Sequence, residues 1–152
     1  MIWRLRITLE GQRGRLRGEV GDGKQGVVWA RSFASAVRSL RDSAGSAAGG
    51  KAQHQPLTLR KDVGAATPQL AQAACTGEVL RSVLCEFISV VEGGAEEVTF
   101  TVRLLDATVS GHRLLLAEGA VAGNLTEEFD LTYRRIEWEH RQAKTMAADE
   151  WA

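Results

Sequence analysis

The chain has 152 residues, 44% of them hydrophobic, and its 19 Lys and Arg are balanced by 19 Asp and Glu. That length suits a single domain, 1–152, able to bury a core without metals or disulfide staples. Zero formal net charge excludes the overall field that would hold nucleic acid or an anionic membrane surface. Met1 to Glu10 alternates apolar and charged residues where a signal peptide would need a continuous apolar core, and no run is long enough to span a bilayer. The expectation is a chain made in the cytoplasm, without membrane insertion.

In chain order, Trp3, Leu5, Ile7 and Leu9 alternate with Arg4, Arg6, Thr8 and Glu10, which predicts a half-buried strand. Arg4, Arg6, Arg13, Arg15 and Arg17 form a basic cluster, but Glu10 and Glu19 dilute it and only Trp3 accompanies it, so a charged strand face explains it better than a nucleic-acid site. Gly11 to Gly26 reads as turns with a short strand near Leu16 to Val20. Gly26 to Leu40 reads as one extended segment, with Val27, Trp29, Phe33 and Val37 on one face and small residues on the other. Residues 41–53 turn to Gly, Ser and Ala and predict a flexible loop of functional length.

Pro56 to Gly77 then changes character. Leu57, Leu59 and Val63 predict a strand whose apolar row is interrupted by Lys61. Thr67 suits a helix cap and Pro68 the first helical position; Leu70, Ala73 and Ala74 share a face, and Gly77 suits the stop. One short helix at about 67–77 is therefore expected, with Cys75 and Cys85 as small buried residues in a reducing compartment.

Val79 to Val91 is apolar on both faces and calls for cover on each. A Gly-Gly turn at 93–94 leads to Val98, Phe100, Val102 and Leu104, after which the apolar row switches parity to Leu105, Ala107 and Val109. In Thr126 to His140, Phe129, Leu131 and Tyr133 likewise give way to Ile136 and Trp138. A parity switch marks a bulge, and two of them point to a sheet that curls. The fold class is mainly β: a small antiparallel β-barrel of two curled sheets with one short α-helix, and a loosely ordered tail from about 141.

Chemistry-bearing patterns are sparse. His54, His112 and His140 are too far apart for a metal motif, and none has Cys or carboxylate neighbours at ligand spacing. Glu127 with Glu128, and Glu137 with Glu139, are acid pairs without a visible pocket. Gly18 to Gly23 lacks the Lys-Ser/Thr ending of a phosphate loop. No catalytic residue, cofactor or metal is expected, and a small-ligand barrel is disfavoured by the Trp, Leu, Phe and Val that fill the core rows.

Several ordered segments nevertheless resemble one family. They are Ile7-Thr8-Leu9-Glu10-Gly11 with Gly14, Gly26-Val27-Val28-Trp29 leading to Ser32-Phe33-Ala34-Ser35, the loop ending Gly49-Gly50-Lys51, and Leu57-Thr58-Leu59-Arg60-Lys61. Thr67-Pro68-Gln69-Leu70 with Ala74-Cys75-Thr76-Gly77, and Glu127-Glu128 with Ile136-Glu137-Trp138-Glu139, complete the set. Across about residues 7–140 the chain resembles the haemolysin-coregulated protein (Hcp) family of type VI secretion. The resemblance implies a hexameric ring, stacking into a tube expelled with effectors, and sheath and spike partners, with secretion that needs no signal peptide. The alternative is a divergent adaptor or tail-tube element of another contractile injection machine. Arg15 stands where relatives tend to carry an acid, and Leu114, Leu115 and Leu116 stand where many have a polar, Gly-rich loop. Candidate inter-subunit or stacking contacts are Arg41, Asp42, Lys51, Gln53, His54 and Arg60, in and beside the long loop.

Overall fold

A computed structural model describes residues 2–18, 27–39, 52–90, 92–118 and 125–151. The alternating N-terminal row forms strand β1 (Ile2–Gly11), with Leu5, Ile7 and Leu9 buried and Trp3 exposed at its start. Gly14, at φ +112°, turns the chain back into β2 (Gly14–Arg15), and the Leu16 amide bonds to the Leu9 carbonyl. The short strand expected near Leu16 to Val20 is displaced: β2 ends at Arg15 and residues 16–18 form no strand, while residues 19 and 20 lie outside the described residues.

The extended segment expected from 26 to 40 divides into β3 (Val28–Ala30), β4 (Ser32–Ala34) and β5 (Val37–Arg38). The division follows from a change of partner: β3 pairs with β1, whereas β4 pairs with β7 (Leu57–Asp62). At the changeover the Arg31 amide bonds to the Arg60 carbonyl. A separate two-stranded ladder joins β5 to β6 (Gln53–His54). The flexible loop expected at 41–53 falls largely outside the described residues.

Helix α1 (Thr67–Thr76) buries Leu70 and Ala73 and ends at Gly77, whose φ of +71° only glycine adopts without strain. Two expectations need correction here. Ala66, not Thr67, stands at the cap and no side chain caps the helix, because the Thr67 hydroxyl is engaged elsewhere. Cys75 is exposed while Cys85 is buried. Cys75 sits about 200° around the helix from Ala73, so the face that buries Ala73 turns it outward.

Three long strands follow: β8 (Val79–Val90), β9 (Glu96–Leu116) and β10 (Leu125–His140). The main sheet runs β2-β1-β8-β9-β10-β7-β4, all antiparallel, and the 28–34 segment links its two sides through β1 and β7. The parity switches lie in one line across it. Leu80↔Ala107 and Ser82↔Leu105 on one side, with Tyr133↔Ala107 and Arg135↔Leu105 on the other, place Arg81, Asp106 and Arg134 side by side. All three are exposed, Asp106 has φ +51°, and Arg134 Nε donates to Asp106 Oδ2 at 2.7 Å. Buried rows therefore step from Leu80 to Val83, Leu104 to Ala107 and Tyr133 to Ile136. Register shifts at Phe87/Ile88 and Asp130/Leu131 add further bends.

Residues after 141 are more ordered than their sequence suggests. A turn leads into β11 (Thr145–Glu150), which pairs with Arg135–His140 of β10, and Trp151 packs against the core. β10 thus bonds β9 along its length on one side, and β7 then β11 on the other.

Candidate functional site

Of the six candidate contact residues, Arg41, Asp42 and Lys51 lie outside the described residues. The other three separate. Gln53 is exposed on β6. Arg60 is exposed on β7, where its Nη2 donates to Glu128 Oε2 at 3.0 Å and Arg113 approaches the same carboxylate at 3.7 Å. Nearby, Thr58 Oγ1 donates to Asp130 Oδ1 and Arg31 grips Asp62 through two bonds. This outer face of β7 and β10 is a charged ladder. His54 differs from both, because its side chain is fully buried and unavailable to a neighbouring subunit.

His54 instead fastens the last strand. Its Nε2 lies 2.7 Å from Asp149 Oδ2 and its Nδ1 lies 3.1 Å from the Tyr133 hydroxyl. The ionised carboxylate only accepts, so Nε2 donates to Asp149, while the Tyr133 hydroxyl meets Nδ1. Trp151 stacks on the imidazole and meets Tyr133 edge-on. The hydrogen bond from His54 holds the Asp149 carboxyl below its usual range, while burial, with Asp149 nearby, pushes the Tyr133 hydroxyl up to about 12.

A second polar cluster lies under the opposite end of β10. Lys61, which breaks the apolar row of β7, stays in that row and is completely buried, ion-paired with the equally buried Glu127. Lys61 Nζ also donates to the Asp62 carbonyl and, at 3.4 Å, to Thr67 Oγ1. Thr67 accepts from the Gly64 amide and donates to Glu127 Oε1 at 2.7 Å; His112 Nε2 lies 2.6 Å from Glu127 Oε2. Each partner has a satisfied bond, as buried polar groups require. Thr67 thus ties the helix start to the sheet, which explains why it does not cap. The signal was present in the sequence: Lys61 is in phase with Leu57 and Leu59, and Glu127 with Phe129 and Leu131, one charge of each sign in facing rows. The acid pairs are otherwise surface groups, with Glu128, Glu137 and Glu139 each paired to arginine. Among the described residues no three His, Cys, Asp or Glu converge as a metal site.

Beyond Glu127 the β9–β10 hairpin continues outward, and its core-side face stays apolar. Glu127↔Leu114 and Leu125↔Leu116 are direct partners, and the Val63 amide bonds to the Leu125 carbonyl. Leu114 is 58% exposed, Leu116 70% and Leu125 40%. Leu114 and Leu116, singled out in the sequence, thus stand exposed at the end of β9 as a leucine tip. At the start of β9, far along the same strand, lies an open groove of about 600 Å³ lined by Trp3, Leu5, Ala30, Phe33, Phe87 and Phe100 and bordered by Arg4, Arg31 and His140. Phe87 makes ring contacts with Phe33 and Phe100 at 5.0 and 5.8 Å, and Arg4 covers Trp29. Isolated apolar residues at a surface are ordinary, whereas a grouped tip and a grouped groove call for an explanation.

Comparison with known proteins agrees with this architecture. Residues 7–140 match the family described as "Type VI secretion system effector, Hcp". The "Major exported protein" of Pseudomonas aeruginosa is 27% identical over 134 residues, covering 86% of this chain and 78% of that one. A crystal structure of an Hcp protein superposes with TM-score 0.87 at 22% identity, covering 99% of each chain. The secreted protein Hcp3 from Pseudomonas aeruginosa gives TM-score 0.80 at 23% identity, covering 97% of this chain and 99% of that one. With the family match running through nearly every strand from β1 to β10, the chain belongs to the Hcp family of type VI secretion proteins.

Proposed function

We propose that this protein is a structural subunit of the type VI inner tube, closing into hexameric rings that stack and are expelled with effectors. The observation that carries the reading is the family match over residues 7–140. Two exposed apolar surfaces, a leucine tip and an open groove, support it physically, since a ring subunit needs a heterologous contact with two different faces. The curled sheet, with β1 and β7 linked by the 28–34 segment, supports a barrel of the kind such a subunit would use. No catalytic step belongs to this role, and the acids and histidines are engaged in holding strands together. The tube partners would be further copies of the chain, with sheath, spike and effector proteins of the apparatus, and the route outward would be the apparatus and not a signal peptide. The candidate contacts Arg41, Asp42, Lys51, Gln53 and Arg60 remain part of this reading; His54 acts within the subunit.

Light scattering combined with negative-stain imaging tests it. Six-membered rings are the expected result. A monomer or dimer with no rings at high concentration overturns the tube reading and favours the second one, an adaptor of a contractile machine, for which the exposed Leu114 and Leu116 are the specific support.

A further inference from the structure

We propose that the leucine tip of one copy seats in the aromatic groove of the next copy. This rests on the reading of the chain as a self-assembling subunit and names the contact that would hold it. Four observations converge. The tip is formed by Leu114 and Leu116 of β9, Leu125 of β10 and Val63 beside it, and all four are exposed. The groove is concave and open, and its lining combines Trp3, Leu5, Ala30, Phe33, Phe87 and Phe100 with the polar Ser32 and Thr99. The leucines are exposed and the groove is open in the single chain, so neither patch covers the other and a second copy can supply the cover. Their charges also match. Glu118 is exposed beside the tip, whereas Arg4, Arg31 and His140 border the groove. Arg4 and Arg31 already meet Glu96 and Asp62 in exposed pairs, which cost little to exchange.

A contact between two different patches repeats from copy to copy, and it closes into a ring or continues as a stack according to its rotation. Buried leucines and aromatic walls supply the apolar centre, and the arginine border supplies the polar rim.

Disulfide cross-linking of the full chain tests the contact directly. In a Cys75→Ser background, Leu116→Cys and Trp3→Cys are combined in one chain, oxidised, and run without reductant, with light scattering and negative stain on the same samples. A ladder of covalent oligomers is expected from the double variant and none from either single one. Rings without a ladder overturn the tip-and-groove contact and leave the ring reading standing. A ladder without six-membered rings supports the contact and overturns the hexamer. Neither rings nor ladder overturns both, and a dimer from Leu116→Cys alone overturns the head-to-tail geometry in favour of a symmetric one. As a second measurement, Leu116→Asp and Trp3→Asp should each weaken assembly at least tenfold while keeping the far-ultraviolet spectrum; assembly unchanged in both overturns the proposal.

Discussion

Two histidine–carboxylate pairs hold this fold together, and they solve different problems. His112 and Glu127 lie under the β9–β10 projection with Lys61 and Thr67, and Lys61 and Glu127 are sealed from solvent. His54 and Asp149 lie under β11, with the imidazole buried and the carboxylate half exposed. In the first, a full ion pair must be matched inside the core, where an unpartnered charge is expensive. In the second, the charge keeps its water and the ring bridges Asp149 and Tyr133. The difference predicts that one cluster governs whether the subunit folds, and the other governs whether its last strand stays docked.

The largest effect should come from breaking the sealed pair. Lys61→Met leaves Glu127 buried without its cation and should cost about 3–5 kcal/mol. Adding Glu127→Met should recover much of that loss, read as the urea midpoint at fixed protein concentration; a double variant less stable than Lys61→Met would refute the account. His54→Ala should cost about 2 kcal/mol, because a cavity opens and the buried Tyr133 hydroxyl loses its partner. Its signature is local: hydrogen exchange should accelerate in β11 and the facing half of β10 before the rest of the sheet, and uniform acceleration would erase the distinction between the clusters.

Acid should separate the clusters as well. Asp149 is held below its usual range by the His54 hydrogen bond. A carboxyl depressed on folding adds stability that is complete above its unfolded value of about 3.9 and lost as pH falls through the lower folded value. Protection of β11 amides should therefore hold at about pH 5 and fade only below that unfolded value. Asp149→Asn should flatten this dependence, and an equally steep acid loss in that variant would place the titration elsewhere. The smallest effect belongs to the outer ladder: Arg60→Ala removes an exposed pair with Glu128 and should change stability by no more than about 1 kcal/mol. A larger loss would mean that Arg60 is doing more than decorate the sheet face.

Much of the fold was legible because it rests on local rules. Alternation gave β1, the Pro68 and Gly77 signals gave α1 nearly to the residue, and parity changes in β9 and β10 gave the bend at Asp106 and Arg134. What was not legible depends on residues distant in sequence. Lys61 looked like an interruption because its partner, Glu127, lies on another strand, and Thr67 looked like a cap because its acceptor lies there too. β11 has no apolar row of its own, since all six residues are exposed. Its order comes from pairing with β10 and from Trp151, which alternation in the strand itself does not record. Among the candidate contacts, Arg60 does stand on an exposed charged face, but nothing in the local pattern around His54 records that its ring turns inward.

The ladder between β9 and β10 has a mechanical consequence. Fifteen residue pairs join them, from Leu125↔Leu116 to His140↔Phe100, interrupted only near Asp106 and Ser110. Tension directed along these strands loads the pairs together, so they share the force and none yields early. Tension directed across them loads one end and opens the ladder pair by pair, like a zip. A subunit pushed lengthwise by its neighbours would be strong if its long strands lay along the push and weak if they lay across it, and pulling single molecules from diagonally opposite ends of β9 and β10, then from their facing ends, would measure that ratio.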